Sequence, residues 1–333
     1  MKKNKEKNII FFINGSIGDF LMTLLFLDCV YQKNKDFNFF ISTSRNNGIM
    51  KKFLSEYPHI KLLSYPHDLF NFLFKKNIVI TPPTFTRLPW HQKFSSWIIS
   101  RNFQSKLFGF DDSSKINSFI YNKVVSFRTD ILYIESLFYL AEKTGISFSR
   151  NNMFLKTKNI SYFEKKPYIV FHPFGASAGR SLIDEKLKSV FFFIKNNFPN
   201  YDIYITGSSE DTKKLEVIEG CDFFDFTGKD IDAVTQLIKE SNFFIGVDTG
   251  ITHLANILDK RTLVLAENGT PHWLPFYNKK ATILYKIKDD IVGTSREVLE
   301  EKRNGRIRFL EKIPLNDIEE QIKELSKSIN NYE

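Results

Sequence analysis

Short apolar runs alternate with stretches of helical character along most of the chain. Residues 9–13, 37–41 and 77–80 have the length and composition of buried strands, and residues 20–31 have helical character. Parallel sheets produce this alternation, because two parallel strands need a crossover connection that is usually a helix. The pattern therefore predicts an α/β fold with doubly wound, Rossmann-like sheets.

The alternation stops and then restarts, which indicates two domains. Residues 84–129 are less regular, residues 130–143 read as a helix closed by Gly145, and residues 156–167 form a polar segment ending in proline. A chain of 333 residues is also too long for one ordinary core. The second series comprises strands at 168–171, 202–206, 243–247 and 261–265, and helices at 184–197, 231–241 and 252–258.

The polar segment sets the expected domain boundary. We predict one domain over residues 1–158 and a second over residues 159–333, facing each other across a cleft. The chain closes with an amphipathic helix at 316–328, which we expect to pack back on the first domain.

Composition excludes several classes of protein. Hydrophobic residues make up 42% of the chain and charged residues 26%, as in soluble globular proteins. No apolar run reaches the ~18 residues that a membrane span needs, and the apolar run near the N-terminus is too short for a signal peptide. We therefore expect a cytoplasmic protein. Cys29 and Cys221 lie far apart and have neither disulfide nor Cys-based metal-ligand spacing.

The positive charge is concentrated in the first half. Residues 1–155 carry 21 Lys and Arg against 11 Asp and Glu, whereas residues 156–333 carry 26 against 27. A one-sided basic domain indicates an anionic partner, such as a phosphorylated substrate, a membrane surface or a nucleic acid. An ordinary basic surface with no specific partner explains the same numbers. No recognition helix or RNA-binding motif supports the nucleic acid.

Ligands of doubly wound sheets bind at the carboxyl ends of strands, so the loops there are the candidate sites. After the strand at 243–247 come Asp248, Thr249 and Gly250, with His253 one turn further on. A glycine at a helix start lets an anion approach the free N–H groups of the first turn. Such a loop can bind a diphosphate, or Asp248 or Thr249 can simply cap the helix.

Two further loops of the second series carry polar residues. In residues 172–182 small residues, including Ser177, precede Arg180, whose forked cation suits a phosphate. A flexible turn with a surface arginine is the alternative. In residues 205–211, Glu210 can bind a pair of sugar hydroxyls or cap the following helix.

The stretch NGSIGDFL, residues 14–21, follows the first strand. Gly15 and Gly18 make an open turn, and Asp19 falls at the start of a helix. Asp19 is either a general base beside a substrate hydroxyl or an acid favoured by the helix dipole. The stretch is not GxGxxG, which disfavours a nicotinamide-dependent dehydrogenase.

The chain contains three motifs in the same order in which a known family has them. They are Ser16-Ile17-Gly18-Asp19, then His172-Pro173-Phe174-Gly175-Ala176-Ser177 with Arg180 downstream, then Asp248-Thr249-Gly250-Ile251-Thr252-His253-Leu254-Ala255. The chain thereby resembles glycosyltransferase family 9, the heptosyltransferases of lipopolysaccharide biosynthesis in the cell envelope. The resemblance runs from about residue 8 to about residue 278.

The resemblance implies a GT-B fold and an inverting, metal-independent transferase of the EC 2.4 class. The second domain would bind a nucleotide sugar, ADP-heptose in the family, as a co-substrate with no further cofactor, and the first would bind an anionic glycolipid or glycan acceptor. The basic first domain would contact the cytoplasmic face of the inner membrane peripherally. Asp19 would be the base. The implied donor-binding residues are Ser177, Arg180, Glu210, Asp248, Thr249, Gly250 and His253. The implied acceptor-binding residues are Gly18, Arg45, Arg87, Lys93 and Arg101.

Three departures from the family pattern leave an alternative open. Phe174 is inserted in the second motif, Ser181 and Leu182 replace the usual aromatic after the basic residue, and the loop at 266–271 has its glycine displaced. The last departure puts the donor's base and sugar in doubt. A non-catalytic protein that binds a nucleotide sugar on a transferase-like fold is therefore the second hypothesis.

Overall fold

The chain divides into two compact units, Met1–Lys158 and Asn159–Glu333. The structure is a computed structural model. It describes residues 7–13, 16–43, 47–63, 67–82, 90–101, 105–111, 120–128, 130–151, 153–157, 166–266, 272, 274–275, 280–285 and 309–330.

The first unit is an open parallel sheet with helices between its strands. Its elements are β1 (Lys7–Phe12), α1 (Ile17–Tyr31), β2 (Phe37–Ser42), α2 (Asn47–Leu54), β3 (Ile60–Leu63), a 3₁₀ helix (His67–Phe72), β4 (Lys76–Ile80), α3 (Trp90–Ser100), β5 (Lys106–Asp111), β6 (Lys123–Ser126) and α4 (Tyr133–Thr144).

The strands of this sheet run in the order β3-β2-β1-β4-β5-β6, and every pair is parallel. The strand order reverses between β1 and β4, so the loops after these two strands border the crevice where doubly wound sheets bind ligands. The central strand is apolar and buried from Ile9 to Phe12, as a parallel strand covered on both faces must be. The helix α1 is also apolar on almost every face and is buried from Phe20 to Val30.

The second unit repeats this architecture. Its elements are β7 (Tyr168–His172), a 3₁₀ helix (Ala178–Arg180), α5 (Asp184–Asn197), β8 (Asp202–Ile205), a 3₁₀ helix (Ser209–Ile218), β9 (Phe224–Asp225), α6 (Ile231–Glu240), β10 (Phe243–Val247), α7 (Gly250–Ile257), β11 (Arg261–Leu265), β12 (Ala281–Leu284), a 3₁₀ helix (Phe309–Lys312) and α8 (Leu315–Asn330).

The second sheet has the order β12-β11-β10-β7-β8-β9, again with parallel pairs. Numbered within the unit, this is the same 3-2-1-4-5-6 order as in the first sheet. The switch point lies between β7 and β10, so the loops after these strands share one crevice. The predicted α/β fold with two doubly wound sheets is confirmed.

The closing helix α8 packs on the second unit, and its packing on the first domain stays a prediction. Ile318 and Ile322 of α8 are fully buried in the core of the second unit, and α8 packs along α5. Lys186 of α5 fixes the same segment, since its buried Nζ donates to the carbonyls of Leu310 and Ile313, each at 2.6 Å. The apolar stripe of α8 therefore has its partner within the second unit.

The irregular region of the sequence contains regular structure. The helix α3 and the strands β5 and β6 lie within residues 84–129, and the sequence analysis also did not predict α2 and β3.

No helix in the described ranges is long and apolar enough to cross a membrane.

Candidate functional site

The loop after β7 is held in a compact shape by its own backbone. Leu182 N donates to the Pro173 carbonyl (2.9 Å), and Gly175 N donates to Ser181 Oγ (3.0 Å). A Cβ on Gly175 would lie 2.5 Å from the Arg180 carbonyl oxygen, so only glycine allows this close approach. Ser181, which replaces the family's aromatic, thus closes the loop through a hydrogen bond.

The inserted Phe174 is a core residue that joins two loops. Its side chain is buried, with an exposed fraction of 2%, and Lys214 Nζ lies 5.1 Å from the ring centroid. A Cβ on Gly207, in the loop after β8, would lie 2.7 Å from Phe174 Cδ2. The insertion therefore packs the two neighbouring loops together without entering the crevice.

The turn from β10 into α7 has the geometry of an anion-binding helix start. Thr249 is the N-cap residue with extended backbone angles, and its Oγ1 accepts from Thr252 N (3.4 Å). Thr252 Oγ1 donates to the Val247 carbonyl, which fixes the turn to the strand end. Gly250 is the first residue of α7, so its N–H belongs to the first-turn donors that no helical carbonyl satisfies.

Arg180, Asp248 and His253 meet beside this turn. Arg180 Nη2 donates to the Asp248 carbonyl (3.1 Å) and lies 3.6 Å from Asp248 Oδ2. His253 Nε2 lies 3.7 Å from Asp248 Oδ1. The Asp248 carboxylate therefore lies between two potential cations, Arg180 from the loop after β7 and His253 from α7. Arg180 keeps 37% of its side chain exposed, so part of its guanidinium is accessible to a ligand.

In the loop after β8, the helix is capped by Ser208 and Asp211 and not by Glu210. Ser208 is the N-cap of the helix Ser209–Ile218, and Asp211 completes the capping box by accepting from Ser208 N (2.8 Å). Hydrogen bonds from Lys214 and Ser208 outweigh burial and lower the pKa of Asp211. Glu210 lies in the first turn with an exposed side chain, free of the capping role.

His172 is a buried residue next to the loop that carries Arg180. It ends β7, is buried, and its Nδ1 lies 2.9 Å from Thr206 Oγ1. Burial lowers its pKa to about 4, so the ring is neutral at physiological pH. Gly246 on β10 makes room for it, because a Cβ there would lie 2.9 Å from the His172 carbonyl oxygen.

In the first unit, Asp19 lies at the N-terminus of α1 but does not cap it. Ser16 is the N-cap, and its Oγ accepts from Asp19 N at 3.1 Å. Asp19 is partly exposed at the third helical position, and Gly18 before it is buried. Tyr133, the buried first residue of α4, lies close to this carboxylate, whose charge adds to burial in raising the tyrosine pKa.

The basic residues expected to bind the acceptor have different positions. Arg45 and Arg87 lie outside the described residues. Lys93 is partly buried and lies in the first turn of α3, which is the end of the helix nearer to β4 in the sequence. Arg101 follows the last residue of α3, with its guanidinium 5.1 Å from the centroid of Trp97.

Arg101 is therefore misplaced for a site around Asp19. The helix α3 runs back from the carboxyl edge of the sheet, so its last residue lies beside the amino ends of the strands. Ser105, four residues further on, confirms this position, because its Oγ accepts from Asn77 N at the start of β4. Its role in acceptor binding stays a prediction, which this position disfavours.

Within the described residues no group of three or more His, Cys, Asp and Glu side chains could hold a metal ion.

Solved structures share this fold along almost the whole chain. A glycosyl transferase family 9 protein from Veillonella parvula DSM 2008 has a TM-score of 0.73 at 12% identity, covering 98% of this chain and 99% of that chain. The E. coli heptosyltransferase WaaC with ADP has a TM-score of 0.66 at 16% identity, covering 95% and 99%. The heptosyltransferase TibC, described as dodecameric and iron-containing and bound to ADP-D-beta-D-heptose, has a TM-score of 0.53 at 13% identity, covering 97% and 77%. The fold is of the GT-B type.

The sequence itself gives the family. The family described as "Glycosyltransferase family 9 (heptosyltransferase)" matches residues 90–302, and the chain belongs to it. An Escherichia coli (strain K12) protein named "Putative lipopolysaccharide heptosyltransferase 4" is 30% identical over 135 residues. That match covers 36% of this chain and 36% of the relative. The family match begins after Asp19, so it does not bear on the first motif.

Proposed function

We propose that this protein is an inverting, metal-independent glycosyltransferase. It moves a sugar, with heptose expected, from a nucleotide sugar, with ADP-heptose expected, to an anionic lipopolysaccharide-core or related glycan. The observation that carries the proposal is the contact between Arg180 and Asp248 beside the start of α7, in a chain of family 9.

The donor diphosphate is bound by the second unit in this proposal. Arg180 and the N–H groups at Thr249 and Gly250 stabilise the negative charge that develops on the leaving diphosphate. Asp248 and His253 orient the arginine and hold the donor sugar. Ser177 and the exposed Glu210 contact the remaining polar groups of the donor.

The acceptor is activated by the first unit in this proposal. The Asp19 carboxylate removes the proton from the acceptor hydroxyl as its oxygen bonds to the anomeric carbon. The bond between that carbon and the diphosphate oxygen breaks, and the diphosphate leaves with the electron pair. One displacement inverts the anomeric centre. Gly18 leaves space near the base, and Lys93, with Arg45 and Arg87, provides cations for the acceptor.

A transfer assay tests the proposal directly. The purified protein is incubated with ADP-, UDP- and GDP-sugars and a core saccharide, with and without EDTA, and the product linkage is determined by NMR. We expect transfer of one sugar with inversion, unaffected by EDTA. Calorimetric donor binding with no turnover on any acceptor would instead favour the non-catalytic nucleotide-sugar-binding protein. Loss of activity in EDTA that added metal restores would contradict metal independence.

We further propose peripheral contact with the cytoplasmic face of the inner membrane. Four strands of the first sheet begin with a lysine, Lys7, Lys76, Lys106 and Lys123. These lysines form a basic edge, and Phe74 beside it is 93% exposed. Lysines and an exposed aromatic side chain suit anionic lipid headgroups.

Vesicle sedimentation tests this contact. We expect binding to phosphatidylglycerol vesicles that falls with added salt and with the double substitution Lys76→Glu and Lys106→Glu. The matched control is Lys188→Glu, an exposed lysine of α5 in the second unit. Equal binding by all variants would contradict the proposal.

A further inference from the structure

The helix α3 packs on the first sheet through one face and exposes the other. Ile99 on the inner face belongs to the core beneath the helix, together with Ile10 and Val79. The outer face carries side chains at the spacing i, i+3, i+4, i+7, which aligns them on one side of a helix. This outer stripe of α3 consists of Phe94, Trp97, Ile98 and Arg101. All four are exposed at least in part, and Phe94 keeps 52% of its surface exposed.

The side chains of the outer stripe stack on one another. The Phe94 and Trp97 rings have centroids 6.1 Å apart and planes that differ by 26°. The Arg101 guanidinium lies 5.1 Å from the Trp97 ring centroid, within the range of a cation–π contact. A single exposed phenylalanine is ordinary on a protein surface, whereas apolar side chains in contact with one another and bordered by charge mark an interaction site. The outer stripe is a surface of the second kind.

The cationic end of the outer stripe lies at the basic edge of the first sheet. Ser105, four residues after Arg101, donates through its Oγ to the Lys75 carbonyl (3.1 Å), so the end of α3 lies near the start of β4. Phe74, which is 93% exposed, and Lys76 of the basic edge lie on either side of this contact in the sequence. The aromatic surface and the lysines therefore meet where α3 ends.

The other end of α3 lies at the carboxyl edge of the sheet. This is the edge at which β4 borders the switch-point crevice. Lys93, which the proposed function assigns to the acceptor, is in the first turn of the helix. The 11 residues of α3 span about 16 Å. One helix thus extends from the crevice to the basic edge and presents its aromatic side chains between them.

We propose that the outer stripe of α3 inserts into the headgroup region of an anionic membrane. The Phe94 and Trp97 rings enter the boundary between headgroups and acyl chains, while Arg101 and the basic edge bind lipid phosphates. The helix then lies on the bilayer with its first turn at the crevice, where a lipid-linked acceptor reaches Asp19. The inference rests on the proposed function, which includes a peripheral membrane contact and a glycolipid acceptor.

Shape and charge favour a membrane over two other partners. Single-stranded nucleic acid also binds aromatic and basic side chains, but it does so in a groove that follows its phosphate backbone. The outer stripe instead lies on the convex surface of a helix. A second copy of this chain on the same surface would bring two basic edges together, and like charges in contact oppose association.

The substitution Phe94→Ser tests the apolar part of this surface. In sedimentation with phosphatidylglycerol vesicles we expect the partition coefficient to fall about fivefold, because about half of the ring is exposed and available for burial in lipid. The salt dependence should stay as in the wild type, since no charge is removed. Phe192→Ser is the matched control, because Phe192 is an exposed phenylalanine on α5 of the second unit. It should bind vesicles like the wild type.

Tryptophan fluorescence tests the insertion directly. The chain has three tryptophans, and Trp97→Phe removes the one in the outer stripe. Vesicles that contain brominated phosphatidylglycerol quench tryptophans that enter the bilayer. We expect the wild type to be quenched and Trp97→Phe to lose most of the quenched signal. Neither this measurement nor sedimentation requires turnover, so both report on α3 even if the proposed transfer reaction is wrong.

The transfer assay links the membrane contact to the acceptor. We expect Phe94→Ser to raise the KM for a core glycolipid presented in vesicles about fivefold and to leave the KM for the de-acylated core saccharide unchanged. A wild-type protein that does not bind vesicles at low salt would refute both the membrane contact and the inference. If the wild type binds, but Phe94→Ser binds equally and Trp97→Phe leaves the quenching unaltered, only the inference about α3 is wrong. Binding of a single-stranded oligonucleotide or dimerisation that depends on Phe94, without a change in vesicle binding, would also overturn it.

Discussion

Two helices in this protein, α1 and α7, each begin with a hydroxyl side chain as the N-cap, but their acidic residues lie on different sides of that cap. Ser16 caps α1 and Thr249 caps α7, each through its side-chain oxygen and the N–H three residues on. In α1 that third residue is Asp19, which places a negative charge within the first turn. In α7 it is Thr252, and the acid, Asp248, lies before the cap and beside Arg180.

The position of the acid decides what each helix start can bind. A carboxylate in the first turn already compensates the positive end of the helix dipole, so the start of α1 would repel a phosphate. The start of α7 keeps its N–H groups and dipole available for an anion, with a cation beside them. The same sheet topology thus places a first-turn carboxylate in one unit and a candidate anion site in the other.

Among the tests of this contrast, substitution of Asp19 should have the largest effect on activity. We expect Asp19→Asn to lower kcat by about 10²–10⁴-fold, because the amide cannot accept the acceptor proton. Donor affinity measured by calorimetry should be unchanged, since the donor is assigned to the second unit. A variant that kept wild-type turnover would remove Asp19 from the mechanism.

Removal of the cation should give the second largest effect. We expect Arg180→Ala to lower kcat/KM by about 10²-fold, because charge on the departing diphosphate loses a donor. Steady-state kinetics with the donor varied measure the change. Arg150→Ala is the control, since this exposed arginine binds Glu135 in the first unit. Equal effects of the two substitutions would argue against a donor site at Arg180.

The second unit should also lose stability at acidic pH, because it contains the buried His172. His172 has a pKa of about 4 when folded against 6.5 when unfolded. Between these values the unfolded chain holds a proton that the folded chain lacks, so stability falls as the pH drops from 6.5 towards 4. The expected loss between pH 7.5 and pH 5 is about 2 kcal/mol in the free energy of unfolding.

Urea denaturation at the two pH values measures this loss, and His172→Asn is the comparison. The variant cannot take up the proton, so its free energy of unfolding should depend less on pH by the same amount. A pH dependence that survives the substitution would show that His172 is not responsible for it.

The sequence predicted most of the central strands and missed the four edge strands together with β5. The strands β1, β7 and β10 are buried at nearly every residue, and such apolar runs are easily recognised. The strands β3, β6, β9 and β12 are the four sheet edges. They have two to four residues and are partly exposed, so no apolar run marks them. The helix α3 is rich in serine and aromatic residues, which are weak helix formers.

The site was predictable where the signal is local. The glycines, Arg180 and the acids of both helix starts are readable from the sequence. The sequence also indicates a cap after β8, but it offers Glu210 for a role that Ser208 and Asp211 take. Contacts between distant segments were not predictable. Tyr133 lies 114 residues from Asp19, and the packing of Phe174 against Gly207 needs the order of the strands. The basic edge also needed the structure, because sequence alone could not separate it from the acceptor site.

The smallest test compares the two caps themselves. Ser16→Ala and Thr249→Ala each remove one side-chain acceptor from a helix start, so each should lower the free energy of unfolding by about 1 kcal/mol. Asp230→Ala, which removes the cap of α6, gives the same cost away from both candidate sites. Only Thr249→Ala should also weaken the binding of ADP measured by calorimetry, because in the proposed function this cap shapes the turn that binds the diphosphate. If Ser16→Ala weakened ADP binding as much, the division between a base-bearing and an anion-binding helix start would be wrong.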